Sequence, residues 1–406
     1  MFRVTRCMQQ LHRPEPVPRR RRPPAPVVIW NLIRRCNLAC QHCYSISADV
    51  DFPGELSTPG IMAVLDDLAA MRVPALILSG GEPLLHPDIL AIGARAKSLG
   101  LYVGLSTNGT LIDEATVRGI ADVGFDYVGI SLDGLQATHD RFRRKAGAFA
   151  ASLRGVRLAR DAGMKVGLRF TLTQDNAQDL DALLALMETE RIDKFYLSHL
   201  NYGGRGNVNR KTDAAFLTTR RAMDRIFDIA WEHAVDGGTS EFVTGNNDAD
   251  AAYLLHWARR RFPEREAGLR EYLAQTAGNA SGMDIANIDN LGNVHPDTFW
   301  WNHTIGNVKE RAFSAIWRET QDPLMLGLRE LPRRVGGRCA KCSYFDVCGG
   351  NTRVRAWQLT GDAWAEDPGC YLDDDELGIE RGGERIAVTP YTRVRRRPVI
   401  PIEVVS

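Results

Sequence analysis

The sequence predicts an α/β protein: an open, partial (β/α)6 barrel of the TIM-like type, followed by a smaller C-terminal extension. Three observations carry this prediction. Short apolar runs alternate with helical segments between residues 27 and 200. Polar motifs follow these runs, and the carboxyl ends of parallel strands are where such folds gather ligands. All cysteines except Cys7 fall into two groups, one after the first apolar run and one near the C-terminus.

Six apolar runs predict the strands of the barrel, at residues 27–32, 75–79, 102–106, 127–132, 166–173 and 194–200. Helical segments intervene. Thr58 is expected to cap a helix that has Pro59 at its first position. Another helix begins near Asp113, and a third runs from 147 to 161 and stops at Gly163. Strands separated by helices predict a parallel sheet with right-handed crossovers. Six units are too few for the usual eight-stranded closed barrel, so we expect an open one.

The chain divides into five predicted regions. These are a basic, proline-rich leader (1–26), the partial barrel (27–211), a helical connecting region (212–280), the cysteine-bearing extension (281–372) and a C-terminal tail (373–406). We interpret the leader as a stiff, solvated segment, with a basic arm for an acidic partner as the alternative. The tail is expected to be a surface strand or partly disordered. Within the extension, residues 290–294 predict a hairpin turn between two short strands.

Composition excludes several functional classes. With a net charge of +1 over 406 residues, the protein has no overall positive potential that would attract nucleic acid. No run approaches the roughly 18 apolar residues of a membrane span, and the N-terminus lacks the apolar segment of a secretory signal. Cysteines grouped at metal-type spacings in a long chain predict ligands in a reducing compartment. We therefore expect a cytoplasmic protein, and a monomer.

A cysteine triad follows the first predicted strand. Cys36, Cys40 and Cys43 form a Cys-x3-Cys-x2-Cys motif, and thiolates this close together suit an iron–sulfur cluster. Three cysteines leave one iron of a 4Fe–4S cluster free to bind something else. The alternative is a structural zinc site completed by His42 or His86, since such a site requires four closed ligands.

The triad, followed one strand later by Ser79-Gly80-Gly81-Glu82-Pro83, resembles the motif of the radical S-adenosylmethionine (SAM) superfamily. The resemblance implies that the cluster's open iron binds the amino and carboxylate groups of SAM, and that reductive cleavage of SAM yields a 5′-deoxyadenosyl radical. It also implies that Glu82 faces the amino group of SAM. Arg169 and Arg143 are candidates for binding the carboxylate of SAM. The alternative for Arg169 is a structural ion pair in the wall of the barrel. The implied SAM-binding residues are His42, Gly80, Gly81, Glu82, Pro83, Ser106, Asn108, Ser131, Asp133 and Arg169.

A second cysteine group in the extension consists of Cys339, Cys342, Cys348 and Cys370. Four cysteines can provide a ligand to each iron of a 4Fe–4S cluster. A zinc ion held by four thiolates is the alternative. Residues 281–372 resemble the SPASM/twitch type of auxiliary-cluster extension. A full SPASM extension would hold two clusters, whereas Met283 and Asp297 stand where further cysteines are expected. The resemblance therefore implies one auxiliary cluster and two 4Fe–4S clusters in all.

Residues 28–32, 34–38, 202–206 and 287–296 are similar to the radical SAM proteins of haem d1 biosynthesis. This similarity implies a tetrapyrrole substrate, 12,18-didecarboxysirohaem, which loses two propionate side chains and gains oxygen functions on the ring. The radical would abstract a hydrogen from a propionate carbon, and the auxiliary cluster could accept an electron. The candidate substrate contacts are Arg34, His199, Tyr202, Arg205, Arg210, His295, His303, Arg353 and Arg355.

Three alternatives stay open on the sequence. Related haem-synthesis decarboxylases, acting on sirohaem derivatives or coproporphyrin-type haem, share much of the pattern. A peptide- or sulfatase-maturing SPASM enzyme shares both cysteine motifs, although residues 1–26 are too few for the added domain that often binds a leader peptide. A zinc-stabilised binding module would use the cysteines structurally. For an enzyme, the expected partner is an electron donor such as a flavodoxin or ferredoxin, with no nucleic acid and no membrane.

Overall fold

One ten-stranded sheet is the framework of the computed structural model, which describes residues 1–17 and 24–379. The six predicted strands are confirmed, each to within one residue at either end. They are β1 (Val27–Asn31), β2 (Leu76–Ser79), β3 (Val103–Thr107), β4 (Tyr127–Ser131), β5 (Val166–Leu172) and β6 (Lys194–His199). The remaining strands of the sheet are β7 (Glu241–Gly245), β8 (Ile285–Ile288), β9 (Asn293–His295) and β10 (Gly306–Asn307).

The sheet is open, as the sequence predicts. Its order is β10-β9-β8-β1-β2-β3-β4-β5-β6-β7, and the strands from β8 to β7 in this order run parallel. In β1, Ile29 pairs with Ile77 of β2 on one side and with Asn287 of β8 on the other. The predicted hairpin is also present, because β8 and β9 pair antiparallel. The carboxyl ends of the parallel strands therefore meet at one edge, where ligands bind in such sheets.

The helices of the described residues are α1 (Val4–His12), α2 (Thr58–Met71), α3 (Ile89–Ser98), α4 (Glu114–Val123), α5 (Gln136–Arg143), α6 (Ala148–Asp161), α7 (Leu180–Thr189), α8 (Gly204–Val208), α9 (Phe216–Asp236), α10 (Ala249–Arg261), α11 (Glu266–Thr276), α12 (Phe313–Arg318), α13 (Pro323–Arg329), α14 (Gly337–Lys341), α15 (Phe345–Cys348) and α16 (Arg353–Thr360). Ser57, rather than the predicted Thr58, caps α2 by accepting a hydrogen bond from the amide of Gly60. Asp113 caps α4 through the amides of Ala115 and Thr116.

Two predictions about the organisation of the chain are wrong. The region 212–280 is not wholly helical, because β7 lies between α9 and α10 and pairs with β6. The leader is not solvated throughout, because α1 buries its apolar side chains in the core. The helix also covers the sheet edge. The amide of Phe242 in β7 donates to the hydroxyl of Thr5 at 2.7 Å, and Phe2 pairs with Thr244. An edge strand covered in this way is protected from pairing with another chain.

Parts of the predicted leader and tail lie outside the described residues, namely the basic run at 19–22 and residues 380–406. The described part of the tail packs onto the body. Leu377 is buried, and its carbonyl accepts a hydrogen bond from the amide of Ser343 at 3.0 Å. Among the helices of the described residues, none is both long enough and apolar enough to cross a lipid bilayer.

We expect Met8→Ala to lower the free energy of unfolding by about 2–5 kcal/mol, because Met8 is fully buried and its truncation leaves a cavity under α1. Gln9→Ala, on the exposed side of the same helix, is the matched control and should change stability by less than about 0.5 kcal/mol. Anaerobic urea unfolding followed by circular dichroism measures both variants. Equal midpoints for the two would contradict a stabilising role for α1.

Candidate active site

The cysteine triad lies in the loop that leaves the carboxyl end of β1. Cys36 and Cys40 pack with Leu38 and Ala148 in a small buried cluster, and Cys43 packs against it. All three cysteines line one open cavity. A cavity at the ends of parallel strands is where small-molecule ligands bind in such sheets.

The glycines that follow β2 hold the triad loop against the sheet. The amide of Gly81 donates to the carbonyl of Ile33 at 2.6 Å. A Cβ added to Gly80 would lie 2.5 Å from that same carbonyl oxygen, and one added to Gly81 would lie closer still to the carbonyl of Arg35. Only glycine allows the two backbones to approach this closely.

Glu82 is turned away from the cavity, so its predicted contact with the amino group of SAM is wrong. Its side chain is fully buried. The carboxylate accepts hydrogen bonds from the Thr107 hydroxyl at 2.6 Å and from the amides of Asn108 and Leu84 at 2.8 and 3.1 Å. Burial raises the pKa of Glu82 above its ordinary value, although these hydrogen bonds oppose the rise. Glu82 holds the loop after β3 in place, and Pro83 beside it is also buried outside the cavity.

Asp133 is likewise buried outside the cavity, where it pairs with Arg143 instead of a ligand. Burial alone would raise the pKa of Asp133, but Arg143 holds it below its ordinary value. Burial would lower the pKa of Arg143, but Asp133 and Cys40 raise it. The guanidinium therefore stays charged, and its Nη1 donates to the Sγ of Cys40 at 3.5 Å. This ion pair places a fixed positive charge beside the triad.

Arg205 supplies a second positive charge. Its Nε and Nη1 donate to the carbonyls of Cys40 and Ser47, both at 2.8 Å, while its buried Nη2 has no partner among the described residues. Burial raises the pKa of Cys43, yet Arg205 and the hydroxyls of Ser45 and Ser47 bring it below its ordinary value. The thiolate form that binds iron is thereby favoured.

Short polar side chains from successive strand ends line much of the rest of the cavity. Ser106 of β3 and Arg169 of β5 are in direct contact, and the guanidinium of Arg169 lies 5.3 Å from the ring centre of Tyr196. The side-chain Nδ2 of Asn108 donates to the Oδ1 of Asn37 at 2.8 Å, which ties the end of β3 to the triad loop. The predicted SAM-binding residues that line the cavity are His42, Gly80, Gly81, Ser106, Asn108, Ser131 and Arg169.

His42 presents a neutral aromatic ring to the cavity. Burial lowers its pKa to about 4. The ring stacks on Phe142 with centroids 4.6 Å apart, and its buried Nδ1 has no hydrogen-bond partner in the part of the chain that the structure describes. The residue therefore offers a flat, uncharged surface and one free ring nitrogen.

The predicted substrate contacts divide into two sets. His199 and Arg205 line the cavity. The others lie outside its lining and make contacts within the protein, namely Arg34, Tyr202, Arg210, His295, His303, Arg353 and Arg355.

Arg353 and Arg355 are fully buried, so the prediction that they clamp the substrate is wrong. Arg355 makes a bidentate ion pair with Asp367 at 2.7 and 2.8 Å. The carboxylate of Asp367 also accepts a hydrogen bond from the backbone amide of Gly369 at 2.8 Å. Arg353 donates to the carbonyl of Ala365 at 2.6 Å. Buried charges with such partners stay charged, and removing one partner is strongly destabilising. Both arginines brace the loops around the second cysteine group.

The predicted substrate contact of His295 is also wrong. His295 is fully buried, and its ring nitrogens pair with the carbonyl of His303 at 2.8 Å and with Asp289 at 3.3 Å. Its role is therefore to fix the hairpin. His303 pairs with Asp322 at 2.9 Å but is only half-buried, so its contact with a substrate stays a prediction.

Comparisons with known proteins identify the family. Residues 30–187 match the model of the Radical SAM superfamily. The chain is 52% identical over 400 residues to the pre-heme d1 synthase of Dinoroseobacter shibae, covering 98% of this chain and 99% of that protein. It is 42% identical over 356 residues to the Fe-coproporphyrin III synthase of Methanosarcina barkeri, covering 87% and 89% of the two chains. This protein belongs to the radical SAM superfamily.

Solved structures agree with the fold. The SAM-bound form of Streptococcus suis SuiB matches with a TM-score of 0.66 at 18% identity, covering 86% of this chain and 77% of that one. The enzyme anSMEcpe, with bound AdoMet and a peptide, matches with a TM-score of 0.63 at 18% identity, covering 85% and 93%. The radical SAM barrel with a C-terminal extension is therefore confirmed. The family match and the 52% identity to a pre-heme d1 synthase confirm the enzyme class. The alternative of a non-enzymatic binding module is wrong.

A radical SAM enzyme uses a 4Fe–4S cluster and SAM, and the residues at this cavity fit both groups. Three thiols face one space, and two guanidinium groups lie beside them. Free polar atoms at the cavity, such as Nη2 of Arg205 and Nδ1 of His42, are buried without partners among the described residues. Buried polar atoms of this kind are costly unless a ligand satisfies them.

The second cysteine group lines a separate cavity, whose lining includes Cys339, Cys342, Cys348 and Cys370. Burial raises the pKa of each of these thiols. Arg338 and Asp367 share the same lining. Within residues 1–17 and 24–379, no three Cys, His, Asp or Glu side chains converge closely enough to hold a single metal ion. Four thiols around one space are a donor set that suits a polynuclear cluster.

Several residues that line the first cavity received no role from the sequence, among them Asn201, Asn246 and Phe299. Asn201 is buried, and both polar atoms of its side chain lack partners in the described part of the chain. It follows β6, at the carboxyl end of a parallel strand, where ligand-binding polar residues are expected. Asn246 follows β7 with a φ of 68°, and finding it required recognising that strand. Phe299 comes from the extension, and no local signal connects it to the barrel.

We expect Gly81→Ala to weaken SAM binding at least tenfold and to reduce the iron held at the triad, because the added Cβ meets the backbone of Arg35. Isothermal titration with SAM and iron analysis measure the two effects. Gly268→Ala is the matched control, since nothing lies within 4 Å of that position in α11. Alanine there should leave binding intact and stabilise the helix slightly. Normal SAM affinity in Gly81→Ala would contradict the close approach.

Proposed function

We propose that this radical SAM enzyme acts in haem d1 biosynthesis and removes two propionate side chains from 12,18-didecarboxysirohaem, leading to oxo groups on the ring. The observation that carries the proposal is the 52% identity to a pre-heme d1 synthase over 98% of this chain. This similarity spans both cysteine groups and the barrel between them. A tetrapyrrole substrate agrees with the two haem-related relatives.

We assign the 4Fe–4S cluster to Cys36, Cys40 and Cys43, with its fourth iron left to SAM. When bound, the two groups supply one-electron cleavage of a carbon–sulfur bond and a radical that removes a hydrogen atom from a propionate carbon. Arg169 suits the carboxylate of SAM because its guanidinium lines the cavity and matches a carboxylate in shape. The neutral ring of His42 offers a stacking surface for the adenine.

The hydroxyls and amide of Ser106, Ser131 and Asn108 suit the ribose and methionine parts of SAM, because all three line the same cavity. For the substrate, we assign Arg205 to a propionate carboxylate, since its Nη2 is a buried donor without a partner among the described residues. His199 and Phe299 also line the cavity and would contact the macrocycle.

We assign one auxiliary 4Fe–4S cluster to the second cysteine group, where it would accept an electron released by the substrate radical. The four thiols that line one common cavity support this assignment. A zinc ion held by the four thiolates is the alternative. The buried ion pair of Arg355 with Asp367 keeps the loops of this site in place.

A related haem-synthesis reaction is the second candidate, and the 42% identity to an Fe-coproporphyrin III synthase favours it over a peptide reaction. That relative covers less of the chain at lower identity than the pre-heme d1 synthase. The similarity to SuiB and anSMEcpe is below 20% identity and concerns the fold alone.

The proposal predicts turnover of 12,18-didecarboxysirohaem under anaerobic conditions with SAM and a strong reductant. Mass spectrometry should detect 5′-deoxyadenosine and a tetrapyrrole lighter by the mass of the lost side chains. Sirohaem, coproporphyrin-type haem and a precursor peptide serve as parallel substrates. Faster turnover of coproporphyrin-type haem would support the second candidate, and turnover of the peptide instead of any tetrapyrrole would reject both.

Iron analysis tests the two cluster sites independently of the substrate. The reconstituted protein should hold about eight irons, and replacement of the triad cysteines by alanine should remove about half of them. Cys339→Ala/Cys342→Ala should remove the other half. Cys7→Ala is the control, because Cys7 lies on the buried face of α1 and lines neither cavity. Zinc without sulfide at the second site would contradict the auxiliary cluster.

A further inference from the structure

The triad loop comes to the protein surface beside the turn between α5 and α6. Within the loop, Leu38 and the flanking cysteines are buried, whereas Ala39 is exposed. The neighbouring segment is residues 141–147, which we call the α5–α6 turn. Any reductant that delivers an electron to the triad must approach where little protein separates it from the surface, because electron transfer slows steeply with distance.

The α5–α6 turn is in direct contact with the triad loop. The amide of Gln41 donates to the carbonyl of Phe142 at 3.1 Å, and its side chain donates to the carbonyl of Arg141 at 3.4 Å. The ammonium group of Lys145 lies 3.4 Å from the carbonyl of Asn37. At the start of α6, Ala148 packs against Cys36 and Cys40. The turn is therefore the outer layer over one side of the loop.

Asp140 makes this turn rigid. Its carboxylate accepts hydrogen bonds from the backbone amides of Gly147 and Phe149 at 2.7 and 2.8 Å. Its carbonyl accepts a hydrogen bond from the backbone amide of Lys145 at 3.0 Å. These bonds fix the turn at both ends and satisfy the first amides of α6. The backbone from which the side chains of the turn project is thus fixed relative to the triad.

The exposed cations of the turn have no carboxylate partners. Arg141, Arg144 and Lys145 are all exposed, and none of them forms an ion pair with a described residue. The arginines further along α6 differ. Arg154 pairs with Glu114, while Arg157 and Arg160 both pair with Glu190. The unpaired positive charge is therefore concentrated where the surface lies against the triad loop.

We propose that the α5–α6 turn is the docking surface for an acidic one-electron carrier protein that reduces the cluster. The inference rests on the proposed assignment of the cluster to the cysteine triad. A rigid group of unpaired cations attracts a partner whose redox centre is surrounded by carboxylates. The contact is electrostatic, so it accelerates encounter and weakens as salt rises.

The test compares two reductants in the reconstituted, full-length protein. The substituted protein is Arg141→Glu/Arg144→Glu, which leaves Lys145 and its contact with the triad loop unchanged. The rate of 5′-deoxyadenosine formation is measured with reduced flavodoxin, an acidic carrier, and separately with dithionite, a small reductant that needs no docking surface. We expect the flavodoxin-driven rate to fall at least tenfold at low salt, and the dithionite-driven rate to stay within twofold of the original.

The matched control is Arg118→Glu/Arg318→Glu, which reverses two exposed charges on α4 and α12 that form no ion pair with a described residue. It has the same change in net charge and should keep the original flavodoxin-driven rate. An equal fall in the control, or no fall in Arg141→Glu/Arg144→Glu, would overturn the docking surface. A parallel loss with dithionite would also overturn it, because the substitutions would then act on the site itself. Failure of the unsubstituted protein to cleave SAM with dithionite would reject the proposed function and this inference with it.

Discussion

The buried amide of Asn31 connects the parts of the chain on which the site depends. Its Nδ2 donates to the hydroxyl of Tyr44 at 2.9 Å, and its Oδ1 accepts a hydrogen bond from Asn287 at 2.6 Å. Tyr44 directly follows the triad, and Asn287 belongs to β8. Because a buried amide without partners is costly, this network favours one register of β8 on β1. The barrel site is therefore built with the strands of the C-terminal extension, which continue its sheet.

The barrel was predictable because its signals are local. Each strand from β1 to β6 is a short apolar run bounded by polar or turn residues, and each is followed by a helix pattern. The rule that ligands gather at carboxyl ends then selected Ser106, Asn108, Ser131 and Arg169, all of which line the cavity. The cysteine spacings needed no knowledge of tertiary contacts, since both groups are nearly contiguous in the chain apart from Cys370.

The errors concern burial, which a local pattern does not determine. Glu82 carries a charge that suits an amino group, but its donors from β3 and from the following turn come together only after the strands pair. Arg353 and Arg355 were predicted to bind carboxylates of the substrate. The fold instead surrounds them with a carboxylate and several carbonyls of the protein itself. The strand β7 was missed because it is short and lies between two long helices. Its edge is completed by α1, which is far away in the sequence.

The strand β7 is also the element that joins the two cysteine sites. Asn246 directly follows β7. Its side-chain Nδ2 donates to the hydroxyl of Ser198 at 2.6 Å, in the wall of the first cavity. The carbonyl of the same residue accepts hydrogen bonds from Thr352 and Arg355 at 3.0 and 3.1 Å, among the loops of the second cavity. A left-handed φ of 68° is a conformation that asparagine adopts more readily than most residues. Asn246 thus lies in the wall of the first cavity and is bonded through its carbonyl to Thr352 and Arg355, so that wall is tied to the chain around the second cavity.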